Sequence, residues 1–243
     1  MIIVVEGPSA SGKTTWGQAH APDVVVAESA PADPPEDASA AARFWAENGA
    51  RRWEQAIAIE QRAGVAVCDT DPLKLHYSWS LWRIGAGSRL VLQRQVDAYR
   101  EMMGGHRIGF ADAYFVSIPD PEVLELRRTG DHGRRRRNFA LHARLGEPLR
   151  EWYAALEEVR PGSVRWGFPD EGVGQPVHSV RPRYDLEAYD ALIGLAFTRP
   201  AGLGTTRRRT ATRVGPRRLN CVTEQGRVSS KSCPGLSGCS TDS

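Results

Sequence analysis

An α/β fold, built on a central parallel sheet of about five strands with helices on both faces, is predicted by three features of the sequence. Short apolar runs rich in β-branched residues recur at 1–5, 23–27, 65–68, 113–118 and 164–168. Helix-length stretches with apolar residues every three or four positions separate most of them, as crossovers between parallel strands require. Gly, Pro and Asp cluster at the boundaries. At 243 residues, 41% hydrophobic and 25% charged, the chain suffices for one substantial domain with a buried core and is short for two.

The first strand, Met1-Ile2-Ile3-Val4-Val5, runs into Gly7-Pro8-Ser9-Ala10-Ser11-Gly12-Lys13-Thr14, which fits G-x-x-x-x-G-K-[ST]. A phosphate chain must lie against backbone N–H groups, so Gly7 and Gly12 keep side chains out of the way. Ser9, Ala10, Ser11 and Thr15 complete the cradle, Lys13 supplies a mobile cation, and Thr14 offers a hydroxyl to Mg²⁺. The following helix, 13–20, adds its positive N-terminal end. A Gly/Ser-rich turn before a lysine also arises by chance; the strand before it and the helix after it point to triphosphate binding.

Ala21-Pro22 ends that helix, and 23–27 reads as a short buried strand with Glu28 at its carboxyl end. A Pro/Ala-rich loop, 29–37, precedes a helix whose face is Ala42, Trp45, Ala46, Gly49, Trp53, Ala56 and Ile57. Gly64 stops it. The third strand leads into Asp69-Thr70-Asp71-Pro72, and 73–84 carries Tyr77, Trp79 and Trp82. Another helix follows on Leu92, Val96, Tyr99 and Met103, stopped by Gly104-Gly105. After the fourth strand, Asp120 and Pro121 fill the N-cap and first positions of a short helix, 122–128. A glycine-hinged loop with Arg134, Arg135, Arg136 and Arg137 comes next, then a helix on Leu149, Trp152, Tyr153 and Leu156. The fifth strand and a last helix on Leu186, Tyr189, Ile193 and Ala196 complete a domain expected over 1–198.

Residues 199–243 hold nine Lys/Arg against two Asp/Glu, a net +7 in a chain whose total is +3, and lack aromatic residues. Such a segment buries too little apolar surface to offset ordering, so a disordered basic tail is expected. Its abrupt composition also fits a terminus read out of frame or fused. Of the cysteines, Cys68 ends an apolar run while Cys221, Cys233 and Cys239 lie in the tail, without zinc-type spacing, so reduced thiols are expected. No run reaches the ~20 apolar residues of a membrane span, and the start shows no leader pattern; the expected compartment is the cytoplasm.

In parallel sheets, ligands gather beyond the carboxyl ends of the strands, which is where the notable residues fall. Asp69 either supports Mg²⁺ or accepts the proton of an attacking hydroxyl; Asp71 shares these duties or forms a turn. Arg127, Arg128 and the four arginines from Arg134 read as a lid over the triphosphate, two or three of them touching phosphate, with Arg128 and Arg134 the candidates. Of the aromatics, one or two belong to the core and one to an acceptor pocket, with Tyr77 the candidate alongside Glu28 and Asp71. His76 and His132 are expected at the surface.

On residues 7–15, on Asp69 after its strand, and on Asp120-Pro121 leading to the arginines at 127–137, the chain resembles the P-loop small-molecule kinases, a group that includes thymidylate and deoxynucleoside kinases and antibiotic phosphotransferases such as chloramphenicol kinase. The resemblance covers residues 1–198. It implies a three-layer P-loop NTPase fold with an Arg-rich lid, ATP and Mg²⁺ as cofactors, and a small-molecule acceptor bound between Glu28, Asp69 and the helix starting near Ala38. The Asp-Arg or Glu-Arg-Ser sequence of the nucleotide and nucleoside kinases is here Asp69-Thr70, which leaves a neutral hydroxylated metabolite or antibiotic open as acceptor. The alternatives are a P-loop ATPase or nucleotide-gated switch with a protein or nucleic-acid partner, and a nucleic-acid binder acting through the tail. No Leu-Ser-Gly-Gly-Gln or Asn-Lys-x-Asp segment supports the former, and no tail aromatics support the latter.

Overall fold

Beginning at its second residue, the chain enters the middle of the sheet. The computed structural model describes residues 1–29, 33–130, 138–174 and 181–198. The strands are β1 (Ile2–Glu6), β2 (Val25–Val26), β3 (Ala66–Asp69), β4 (Ala113–Val116) and β5 (Val164–Trp166). The helices are α1 (Lys13–His20), α2 (Ala38–Ala63), α3 (Leu75–Arg83), α4 (Arg89–Gly104), α5 (Pro121–Gly130), α6 (Phe139–Ala143), α7 (Gly146–Val159) and α8 (Leu186–Thr198). Every strand pairing is parallel, in the order β2-β3-β1-β4-β5, giving the expected P-loop α/β fold. The register sets Val5 opposite Asp69, so the loop leaving β1 and the carboxylate ending β3 are neighbours.

Alternation along β1 divides the core in two. Ile2 and Val4 join Ala66 and Cys68 in a large cluster with Trp53, Trp79, Tyr99, Trp152, Tyr153 and Tyr189, drawn from α2, α3, α4, α7 and α8. Ile3 and Val5 face the other way, with Val67 and Phe115, and meet chiefly Trp16 of α1 and Phe168. Period-two strands with both faces covered carry apolar residues at every position, which is why β1 and β3 read as unbroken runs.

Local signals decide both ends of α2. Asp37 caps α2 by accepting from the Ala40 amide at 2.7 Å, and Gly64, at φ +79°, ends it. Gly49 permits a close approach: a Cβ there would lie 2.4 Å from the Pro72 carbonyl oxygen. β2 is shorter than its apolar run, because Pro22–Val24 forms a 3₁₀ turn that consumes the run's start. α6 lies where no element was expected, and α5 continues to Gly130.

His76 corrects an expectation. It sits on α3 and is buried, not at the surface. His132, the arginines at 134–137 and the tail with its cysteines lie outside the described residues. Cys68 is a free thiol whose pKa burial pushes up to about 12. Among the described residues no helix is long and apolar enough to cross a membrane.

The start of β1 is tied down electrostatically. Arg183 donates to both oxygens of Glu60, at 2.7 Å from Nη1 and 2.5 Å from Nη2, and also to both oxygens of Asp112. The N-terminal ammonium pairs with Glu60 at 2.5 Å, and the Ile2 amide donates to Asp112 at 2.7 Å.

Candidate active site

The loop from Gly7 to Gly12 wraps the start of α1. Gly7 is needed on steric grounds, since a Cβ there would meet the Ser117 carbonyl oxygen at 2.2 Å. Gly12, at φ +101°, is the N-cap of α1. Between them Ala10 also lies in the left-handed region, at φ +72°. Lys13 folds back across the loop, Nζ donating to the Gly7 carbonyl at 2.7 Å. Ser9 is half-buried, Ser11 buried and Thr15 exposed on the first turn.

The central contact spans 55 residues: Thr14 Oγ1 donates to Asp69 Oδ2 at 2.6 Å. Asp69 Oδ1 is buried and has no hydrogen-bond partner among the described residues. Burial raises the Asp69 pKa, with Glu28 and Glu6 adding to the rise, against the opposing Thr14 hydrogen bond and Lys13 charge. A hydroxyl beside a carboxylate with one oxygen to spare suits a hard cation that takes its other ligands from phosphate and water. Mg²⁺ therefore fits these residues.

Behind Asp69 the backbone is strained. Thr70 is β-branched yet sits at φ +71°, a conformation costing on the order of 1–3 kcal/mol. Contacts from β1 and α2 hold it there. The Thr70 amide donates to Val5 O at 3.0 Å. Buried Arg52 of α2 donates to Asp69 O at 2.6 Å, to Thr70 O at 2.9 Å and to Ala27 O at 3.2 Å. A guanidinium thus does reach this turn, from α2 and not from position 70, and it braces backbone.

Asp71 is buried, its Oδ1 accepting from the Leu73 amide at 2.9 Å. Burial pushes its pKa up to about 7. The sequence groups it with Glu28 and Tyr77; the structure places it inside the fold, 3% exposed.

Glu28 forms an ion pair with Lys74. Burial works to raise the Glu28 pKa, but the charge and hydrogen bond of Lys74 and the charge of Lys13 bring it below the usual range. Lys74 also lies 5.7 Å from the Tyr77 ring. The Tyr77 hydroxyl is 3.2 Å from His142 Nε2, and the two rings meet edge to face. Burial lowers the His142 pKa, and Lys13 and Lys74 lower it further. Glu28, Lys74, Tyr77 and His142 therefore form one polar group within electrostatic reach of Lys13. Of the three aromatics on α3, Trp79 is core, Trp82 stacks on Phe197, and Tyr77 faces this group.

On the loop's other side, Arg127 Nη1 donates to the Ser11 carbonyl at 2.8 Å. Arg128 is instead paired with Glu125 on the same helix and lies over the Phe139 ring, 5.1 Å from its centroid. Arg134 lies outside the described residues.

No protein-family model and no curated protein matches the sequence. Among solved structures, the deoxyadenosine kinase of M. mycoides with products dCMP and a flexible dCDP bound has a TM-score of 0.46 at 12% identity, covering 80% of this chain and 97% of that one. The same kinase with bound dATP has a TM-score of 0.41 at 12% identity, covering 82% of this chain and all of the other. With scores this low, the fold rests on the chain's own strand order and loop geometry.

Glu6, Arg52, His76, Lys74 and His142 are the site's unexpected members. Two of them left a trace in the sequence. Glu6 is a carboxylate at the end of an otherwise apolar strand, directly before the loop, and Lys74 is one of only three lysines in a chain that otherwise uses arginine.

Proposed function

We propose that the chain is an ATP-dependent phosphotransferase that moves the γ-phosphoryl group of ATP to a hydroxyl or phosphate of a small molecule. The observation that carries this reading is the Thr14–Asp69 hydrogen bond at 2.6 Å, which sets a loop hydroxyl and a strand-end carboxylate side by side. In this reading the amides of the loop after Pro8 bind the β- and γ-phosphates, and Lys13 leaves the Gly7 carbonyl for phosphate oxygens. Thr14 and Asp69 hold Mg²⁺, which neutralises phosphate charge when bound. Arg127, already at the loop, offsets the negative charge that spreads over the transferring group.

The acceptor lies on the Glu28 side. Asp69 is engaged with Thr14 and the cation, so the carboxylate left to accept the acceptor's proton is Glu28, kept ionised by Lys74 and Lys13. Tyr77 and His142 line that side and offer a ring face, a hydroxyl and an imidazole to an acceptor with a planar or hydroxylated group. The proposal includes a cytoplasmic setting and a catalytic unit of residues 1–198.

The test is ATP consumption against panels of nucleosides, nucleotides and hydroxylated antibiotics, with Lys13→Ala as control. Turnover on one acceptor class, falling about 10²–10³-fold in Lys13→Ala, is expected. Unchanged turnover in that variant on a found acceptor would overturn the reading.

A further inference from the structure

Glu6 is 3% exposed, and both of its carboxylate oxygens are engaged. Oε1 accepts from the Gly7 amide, the first of the phosphate loop, at 2.8 Å. Oε2 accepts from the Asp71 amide at 3.1 Å and lies 3.1 Å from His76 Nε2. One carboxylate therefore joins three elements: the start of the phosphate loop, the strained turn that carries Asp69, and α3. His76 is 2% exposed and Tyr153 fully buried, their rings 5.9 Å apart. His76 Nδ1, the Tyr153 hydroxyl and Ser80 Oγ have no hydrogen-bond partner among the described residues. Around the linkage, then, the protein tolerates unsatisfied polar atoms that an apolar core would avoid.

A buried carboxylate–imidazole contact of this kind is weak evidence for stability, since well-packed apolar residues of like volume often serve as well or better. What the pair does here, and apolar residues cannot, is bind two backbone amides, one at the start of the loop that leads to Thr14 and one in the turn that carries Asp69. The Gly7 amide fixes where the loop begins; the Asp71 amide, with Arg52 on the carbonyls before it, fixes the turn from which Asp69 projects.

We infer that Glu6 and His76 are positioning residues that couple the phosphate loop to the Asp69 turn, so that nucleotide and Mg²⁺ are bound as one event. Neither side chain touches substrate: His76 holds Glu6, and Glu6 holds the two amides. The inference rests on the phosphotransferase reading.

The measurable quantity is the ratio of the ATP dissociation constant in EDTA to that in Mg²⁺, read with a fluorescent ATP analogue alongside thermal denaturation. Wild type binds more tightly with Mg²⁺. Glu6→Gln, the same shape without the charge, and His76→Phe, which removes the donor, lower that ratio about tenfold, as loss of a supporting partner does at metal sites. His76→Gln, whose amide nitrogen reaches the place of Nε2, restores most of it. A merely structural role would lower the melting temperature and leave the ratio unchanged. A folded His76→Phe protein with the wild-type ratio overturns the inference. If that variant does not fold, an unchanged ratio in Glu6→Gln does so. Wild type that binds no ATP under either condition sinks the phosphotransferase reading and the inference together, whereas wild-type binding with unaltered variant ratios sinks the inference alone.

Discussion

Arg52→Met removes the guanidinium that donates to the carbonyls of Ala27, Asp69 and Thr70 while keeping most of the side chain's volume. The three bonds measure 3.2, 2.6 and 2.9 Å, and the residue is 4% exposed. Hydrogen bonds from a charged donor contribute about 1.5 kcal/mol or more each, so three at the lower bound give about 4.5 kcal/mol. A domain of this size is stable by roughly 5–15 kcal/mol, so the variant folds with a much reduced margin. Guanidinium denaturation followed by tryptophan fluorescence measures this directly as a shift in midpoint at constant slope. Arg52→Lys recovers only part of the loss, because an ammonium on a flexible stem lacks the planar fork that reaches several carbonyls at once. A loss below about 1 kcal/mol in Arg52→Met would refute the reasoning, since it would mean the carbonyls find water or other donors at little cost.

Arg127→Ala weakens ATP binding about tenfold, while Arg128→Ala leaves it nearly unchanged because that residue is paired with Glu125 on its own helix; titration with a fluorescent ATP analogue separates the two. Asp69→Asn raises the Mg²⁺ concentration needed for half-maximal turnover at least tenfold, read from a metal titration at saturating ATP. Glu60 has its pKa lowered to about 2, chiefly by its hydrogen bond from Arg183. A depressed carboxylate contributes stability that is present above its unfolded pKa and lost as pH falls, here between about pH 5 and pH 2; Glu60→Gln flattens the acid limb of a melting-temperature profile over that window. Gly49→Ala destabilises by about 1–3 kcal/mol in chemical denaturation, because its Cβ would press on the Pro72 carbonyl at 2.4 Å.

The sheet and most of its helices were legible because their signals are local. Apolar β-branched runs mark β1 and β3, Asp37 and Gly64 lie just outside the ends of α2, and Asp120-Pro121 marks where α5 starts. β2 came out short because a proline-initiated turn competes with strand for the same residues. α6 was not anticipated, since five residues carry no readable period. At the site, the loop and the strand-end carboxylates follow from spacing. What could not be read is which long-range partner each side chain takes. His76 has no metal-type neighbours in sequence, yet the fold sets it against Glu6, 70 positions earlier. Adjacent arginines 127 and 128 look alike in a basic run, but their different directions around α5 send one to the loop and the other to Glu125. Arg52 lies inside an amphipathic pattern where a charge reads as solvent-facing, and only the close packing of α2 on the turn after β3 makes it a brace.

The unequal covering of the sheet bears on how the molecule opens. One face is overlaid by five helices sharing a large aromatic cluster, the other chiefly by α1, whose Trp16 donates to the Pro169 carbonyl at 2.8 Å and packs edge to face on Phe115. Local opening starts where the fewest contacts must break, so the thin layer is the first to loosen. That layer contains the phosphate loop's helix, while the strands stay clamped from behind. On the phosphotransferase reading, a nucleotide would exchange through a small, reversible loosening of one helix that leaves the bulk of the core undisturbed.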